Sequence, residues 1–148
     1  MVADMDCVGV LDGKVPSCAL GNEVGPTMKR DMELIRKILL HVEAIDSIGG
    51  AKPVAIDGYT ADAIFHHTRL LLDQGYLRER GGISFTTHGV HATGGAMTYE
   101  GHDFLDAARN DTIWRKALDR IAGTTGSVSL DVLKALLADF GKKALGLP

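Results

Sequence analysis

Cysteine, long apolar runs and a surplus of positive charge are what this 148-residue chain lacks, and each absence narrows what it can be. Its two cysteines, Cys7 and Cys18, have no other cysteine to form a metal site or disulfide framework with, and they read as free thiols. The longest apolar candidates, such as residues 35–42, are broken by Arg36, Lys37 and His41, and none approaches the ~20 residues that cross a bilayer. The N-terminus has no basic start followed by a long apolar segment, so a cytoplasmic protein with no membrane association is expected. The formal charge is −3, and residues 1–27 account for it with Lys14 against Asp4, Asp6, Asp12 and Glu23. The remainder balances fifteen basic against fifteen acidic side chains. Nucleic-acid-binding domains are commonly basic, because neutralising phosphates releases counterions and supplies much of the affinity. That signature is missing.

Catalytic signatures are as sparse. No Gly-x-Ser-x-Gly elbow is present, and the glycine-rich tract 89–95 lacks the lysine and the strand-to-helix setting of a phosphate loop. Six histidines include His66-His67 and His88-Gly89-Val90-His91, with His102-Asp103 further along. A metal site needs three or four converging ligands and a second set of groups to hold them; no histidine pair at same-face helical spacing joins a carboxylate motif. Surface or helix-packing histidines are the expectation, with no metal, no cofactor and no enzymatic activity.

Hydrophobic residues at 45% and charged residues at 24% are ordinary for a globular chain, and the length suits one core. Residues 1–27 hold six glycines and prolines and no periodicity, which predicts a flexible extension ahead of a single domain over 28–148. From Met28 the spacing of Met32, Ile35, Leu39 and Val42, widened by Leu34, Ile38 and Ile45, predicts a helix over 29–47. Asp31 and Glu33 fall in its first turn, and Gly49-Gly50 ends it. Residues 52–57 suit a short edge strand, where Pro53 is tolerated. Thr60 caps a helix running to Gln74, with Ile64, Thr68 and Leu71 facing inward and Asp62, His66, Arg69 and Asp73 facing outward.

After Gly75 two pairings are open. Residues 76–80 alternate as a half-buried strand does, and a Gly81-Gly82 turn lets 83–86 pair back on them. Alternatively one long wing returns along Ala96-Met97-Thr98, with its tip at 87–95. Thr98 caps the next helix, with Phe104, Leu105 and Ala108 on its apolar face. Asn110-Asp111-Thr112 signals a break before Ile113, Trp114, Ala117, Leu118 and Ile121 resume the stripe. Residues 123–126 read as a loop, and Ser129 caps a last helix with a broad apolar face: Val132, Leu133, Leu136, Leu137 and Phe140.

This order of elements predicts an α+β winged helix with a small antiparallel wing and a C-terminal helical extension. In such a fold the helix over 60–74 enters the major groove of double-stranded DNA, with His66 and Arg69 as contacts. The wing residues Arg78, Arg80, His88 and His91 reach the backbone or minor groove, and Lys29 and Arg30 add phosphate contacts. The opposing argument is charge: Asp62, Asp73 and Glu79 repel phosphates, and alternating arginines on a strand are commonly its solvent face. The alternative reading is a protein-interaction module that uses the same helix and wing surface. Leu133, Leu136, Leu137 and Phe140 either complete the core over Trp114 or pair with a second subunit in a homodimer.

Several stretches together resemble one family. They are Met28-Lys29-Arg30-Asp31-Met32-Glu33-Leu34-Ile35-Arg36-Lys37-Ile38-Leu39, then Ile56-Asp57-Gly58-Tyr59, and Ile64 with His67 ahead of Leu70-Leu71. The last are Thr98-Tyr99-Glu100-Gly101-His102-Asp103-Phe104-Leu105-Asp106-Ala107 and Asp111-Thr112-Ile113-Trp114. The chain is similar, over residues 28 to about 147, to the bacterial and phage proteins grouped as domain of unknown function 2513. The resemblance implies a winged-helix-like domain, often encoded by phages and other mobile elements, with no established activity. The leading expectation is a phage or mobile-element regulator that binds DNA, and the alternative is an accessory protein that binds a host partner. It implies no catalytic or ligand residues. Thr68, where a leucine is expected, and the glycine-rich tract 81–95 depart from the family pattern. The segment between the first helix and Thr60 holds a strand but has no room for the extra helix that normally braces a reader helix.

Overall fold

The computed structural model describes residues 29–46, 50–124 and 128–148, so the extension expected over 1–27 and both cysteines lie outside the described residues. The chain divides into two units, Met1–Arg30 and Asp31–Pro148. Of the first unit only Lys29 and Arg30 are described, and both are exposed.

The second unit is α+β. Its described residues form five helices and one three-stranded antiparallel sheet. Helix α1 (Met32–Glu43) is central. Leu34, Ile35, Ile38, Leu39 and Val42 are each at most 1% exposed, and burying a side chain of this kind contributes about 1.5–3 kcal/mol. The helix is shorter than the expected 29–47. Asp31 Oδ1 accepts from the backbone N–H of Glu33 at 2.9 Å and of Leu34 at 3.1 Å, so Asp31 is the N-cap and not a first-turn residue. At the other end Ala44 closes the helix, with Ile45 N–H donating to Val42 O at 3.1 Å. The stop therefore comes before Gly50 and without a glycine.

Strand β1 (Lys52–Pro53) lies at the edge of the sheet, as its proline requires. Helix α2 (Ala61–Asp73) starts at Thr60, whose hydroxyl accepts from Ala63 N–H at 3.2 Å. It ends in a Schellman arrangement: Tyr76 N–H reaches Leu71 O, Gly75 N–H reaches Leu72 O, and Gly75 takes the left-handed φ of +81°. Ile64, His67, Thr68 and Leu71 are its buried face. Thr68, in place of an expected leucine, is buried without penalty because its hydroxyl donates to Ile64 O at 2.7 Å.

The region after α2 combines parts of both expected pairings and matches neither. Strands β2 (Ile83–Thr86) and β3 (Gly89–Ala92) form the hairpin, joined by Thr87 and His88, and the sheet order is β1-β3-β2. Residues 76–80 do not pair with β2. Instead Leu77 bridges to Met97, with Arg78 N–H donating to Ala96 O at 2.8 Å and Thr98 N–H to Tyr76 O at 3.0 Å. Glycine decides this arrangement. A Cβ on Gly82 would lie 2.4 Å from Arg78 O and 2.8 Å from Ala96 Cα, so the 78–82 turn folds tightly against residue 96.

Helix α3 (Tyr99–Ala108) follows its Thr98 cap, α4 (Asp111–Thr124) follows Asn110, and α5 (Leu130–Ala144) follows Ser129. Gly123 and Thr124, expected in a loop, belong to the last turn of α4, where Thr124 Oγ1 donates to Arg120 O at 2.8 Å. No helix among the described residues is long and apolar enough to cross a membrane.

Two polar clasps hold α1. Arg36 is only 8% exposed; it donates from Nε to Ala108 O at 2.8 Å and from Nη2 to Arg109 O at 3.1 Å and Asp111 Oδ1 at 2.6 Å. Its guanidinium also lies 5.3 Å from the Trp114 ring centroid, and Trp114 Nε1 donates to Glu33 Oε2 at 2.6 Å. On the other side His67 Nε2 accepts from Asp31 N–H at 2.8 Å. An accepting Nε2 places the ring proton on Nδ1, which stands 2.8 Å from Ala63 O.

Candidate functional site

The outward face of α2 and the hairpin meet at one residue. Phe85 projects from β2 toward α2, where the Phe65 ring lies 4.7 Å away, centroid to centroid, tilted by 54°. Arg69, one turn along from Phe65, places its guanidinium carbon 5.5 Å from the centre of the same Phe85 ring. Phe65 is 44% exposed, an unusual state for a phenylalanine on a helix. Phe65 and Phe85 are the residues that sequence reasoning missed. The available signal was Phe65 itself, an aromatic on the polar face of an amphipathic helix, four positions before Arg69.

The structure brings some of the expected contacts together and separates others. Arg69 is exposed and His66 half-buried on α2; His66 packs edge-on against His67, 5.3 Å between ring centroids. His91 faces away from Phe85, on the sheet surface with Ser84 and Thr86, and its Nδ1 is 3.5 Å from Thr86 Oγ1. His88 is exposed at the hairpin turn, its backbone N–H donating to Thr86 Oγ1 at 3.0 Å. Arg78 and Arg80 are exposed in the 78–82 turn and do not alternate along a strand. Among the described residues Arg36 and Arg109 are tied to carboxylates, whereas Arg69, Arg78 and Arg80 enter no ion pair. Leu133 and Leu137 are buried in the core, and Leu136 and Phe140 are partly buried against it. Leu133 and Leu137 are thus core residues, while Leu136 and Phe140 keep part of their surface exposed beside Val132, which is 53% exposed.

A cavity of about 230 Å³ opens between the 53–61 segment and the hairpin turn, with Val54, Ile56, Ile64 and Val90 as its apolar wall and Asp57, Tyr59 and His88 as its polar groups. Burial, and then the nearby Asp31 carboxylate, push the Tyr59 phenol above its ordinary value, so it stays a neutral donor at physiological pH. These groups contain no nucleophile paired with a base. Among the described residues no three or more His, Cys, Asp or Glu side chains are grouped to hold a metal ion.

Two carboxylates at the α1–α3–α4 junction are held below the usual range. Hydrogen bonds from Arg109, at 2.9 and 2.8 Å, lower Glu43, and the hydrogen bond from Arg36 lowers Asp111. Groups depressed in the folded state contribute stability above their unfolded values, and that stability is lost as pH falls through the folded ones. The thermal midpoint is expected to fall as pH is lowered from about 5 to about 3, where model carboxylates titrate. A Glu43→Gln, Asp111→Asn variant should show a shallower fall in a pH series of melting curves. The difference will be modest because both groups are solvent-screened. An unchanged slope would mean that neither pair contributes.

What the geometry defines is an α+β domain in which one helix and a small hairpin meet at an exposed aromatic residue, Phe65, with Arg69 beside Phe85. The chain belongs to the family described as "Hypothetical protein (DUF2513)", whose sequence pattern matches residues 29–127. A relative from Haemophilus influenzae, described as an uncharacterized protein, is 32% identical over 108 residues, covering 72% of this chain and 90% of the relative. No solved structure matches the chain. Distant parts of the family-like sequence meet in space: Glu33 and Arg36 from its opening stretch contact Asp111 and Trp114 from its closing one.

Proposed function

We propose that residues 31–148 form a reduced winged helix that binds double-stranded DNA, with α2 as the reader helix and the β2–β3 hairpin as the wing. The observation that carries this reading is that Arg69 on α2 and Arg78 and Arg80 in the turn leading into β2 are exposed and enter no ion pair among the described residues. Arg30, Arg115 and Arg120 elsewhere also enter none, but Arg69, Arg78 and Arg80 flank the helix and hairpin that a winged helix would turn toward DNA. They would contact phosphates, with His66, His88 and His91 as further polar groups. A regulatory role in a phage or other mobile element is the biological setting that the family resemblance suggests. The bracing helix of a complete helix-turn-helix has no counterpart in β1 or in the described linker that follows it.

Few phosphate contacts mean modest affinity and a shallow salt dependence. In anisotropy titrations of a labelled duplex against the full chain, binding should be measurable at low salt and weaken as salt rises. Arg69→Ala and Arg78→Ala should each reduce affinity several-fold and lower the salt slope by about one. Absence of binding at low salt would sink the reading. The neutral charge balance of residues 28–148 favours the second reading, a protein partner on the same face. That partner would be recovered in pull-downs from which Phe65→Ala removes it, and a pull-down that recovers no partner would count against it.

A further inference from the structure

We infer that this face takes DNA carrying an unpaired base, with Phe65 as the surface on which that base stacks. The inference rests on the nucleic-acid reading above and specifies the form of DNA. A helix that reads base edges presents arginine, asparagine or glutamine to the groove. The outward face of α2 instead carries Asp62, Phe65, His66, Arg69 and Asp73, and its one arginine lies against the Phe85 ring. Base-edge recognition is therefore poorly served. Stacking is well served: Phe65 is supported from behind by Phe85 at 4.7 Å, while 44% of its surface is open to solvent.

The charge balance points the same way. With fifteen cations offset by fifteen anions after residue 27, counterion release gives little affinity, so binding must draw on contacts that do not depend on net charge. Stacking of a base on an aromatic ring is such a contact, and every base has a face to offer. In a perfect duplex those faces are already stacked on each other. Opening them costs free energy that a mismatch, bulge or gap has already met, and an apolar side chain inserted at such a step is a known way to exploit the difference. Arg69, one turn from Phe65 with its guanidinium 5.5 Å from the Phe85 ring centre, would pair with the phosphate flanking the displaced base.

The test uses the full chain and two fluorescein-labelled 20-base-pair probes, identical except that one carries a single unpaired thymidine. At low salt the bulged probe should bind about tenfold more tightly, the range of one aromatic–base stack. Phe65→Ala should weaken the bulged probe more than the perfect duplex, bringing the two affinities together. Phe65→Tyr, which keeps the ring, should retain the preference. Equal affinity for the two probes, or a preference that survives Phe65→Ala, would overturn the inference and leave duplex binding standing. If neither probe binds, both readings fall together.

Discussion

Replacing Arg36 by methionine is expected to lower the unfolding free energy by about 1–3 kcal/mol, the cost of leaving buried acceptors without their donor. Methionine fills similar volume, so the loss comes from polar groups left behind. Ala108 is fully buried and its carbonyl would have no donor, and the carbonyl of Arg109 and the carboxylate of Asp111 would lose theirs. Arg36→Lys should fall in between, because an ammonium keeps the charge but lacks the planar fork that reaches three acceptors at once. Urea unfolding checks both: the midpoint should drop with the slope unchanged. A loss below about 1 kcal/mol would place the cluster with ordinary surface ion pairs, contrary to its burial.

Phe104→Ala should be more damaging, about 3–5 kcal/mol, for an apolar reason. Phe104 is fully buried on α3, stacked on Tyr76 with centroids 5.2 Å apart and edge-on to Trp114 at 6.4 Å. Its removal leaves a cavity among α1, α4 and the 76–98 bridge, and the surroundings cannot collapse to fill it. Gly101, on the same helix, already sits so close to Tyr76 that a Cβ there would lie 2.3 Å from its carbonyl oxygen. Phe104→Leu should cost clearly less, since most of the volume survives. Calorimetry of the two variants separates the outcomes, and equal midpoints for alanine and leucine would show that the ring is not what supports this junction.

Much of this framework could be read from the chain because its signals are local. Thr60, Thr98, Asn110 and Ser129 each precede an apolar stripe and each caps a helix, since a short polar side chain reaches only the amides next to it. The hairpin register was not legible. Gly81-Gly82 does make a tight turn, with Ile83 N–H donating to Arg78 O at 2.9 Å, but the strand ladder forms across Thr87 and His88, while Leu77 bridges to the distant Met97. Arg36 and His67 were hidden for a related reason. A charged residue within a stripe reads as an interruption, and its acceptors lie 72 to 75 residues away. The candidate site was half visible: Arg69 follows from helical phase, but the value of Phe65 depends on Phe85 reaching it from another element.

The Arg36 cluster also constrains the order of assembly. Helix α1 precedes every other described element in the chain, yet the acceptors of its buried guanidinium, at positions 108, 109 and 111, cannot engage it until that part of the chain has been synthesised. Its contact with His67, 36 residues on, closes a loop half as long and at lower entropic cost. On a ribosome α1 can therefore lean first on α2 while Arg36 stays hydrated. The arginine is dehydrated only when α3 and α4 arrive, which makes the earliest helix of the domain the one that is completed late.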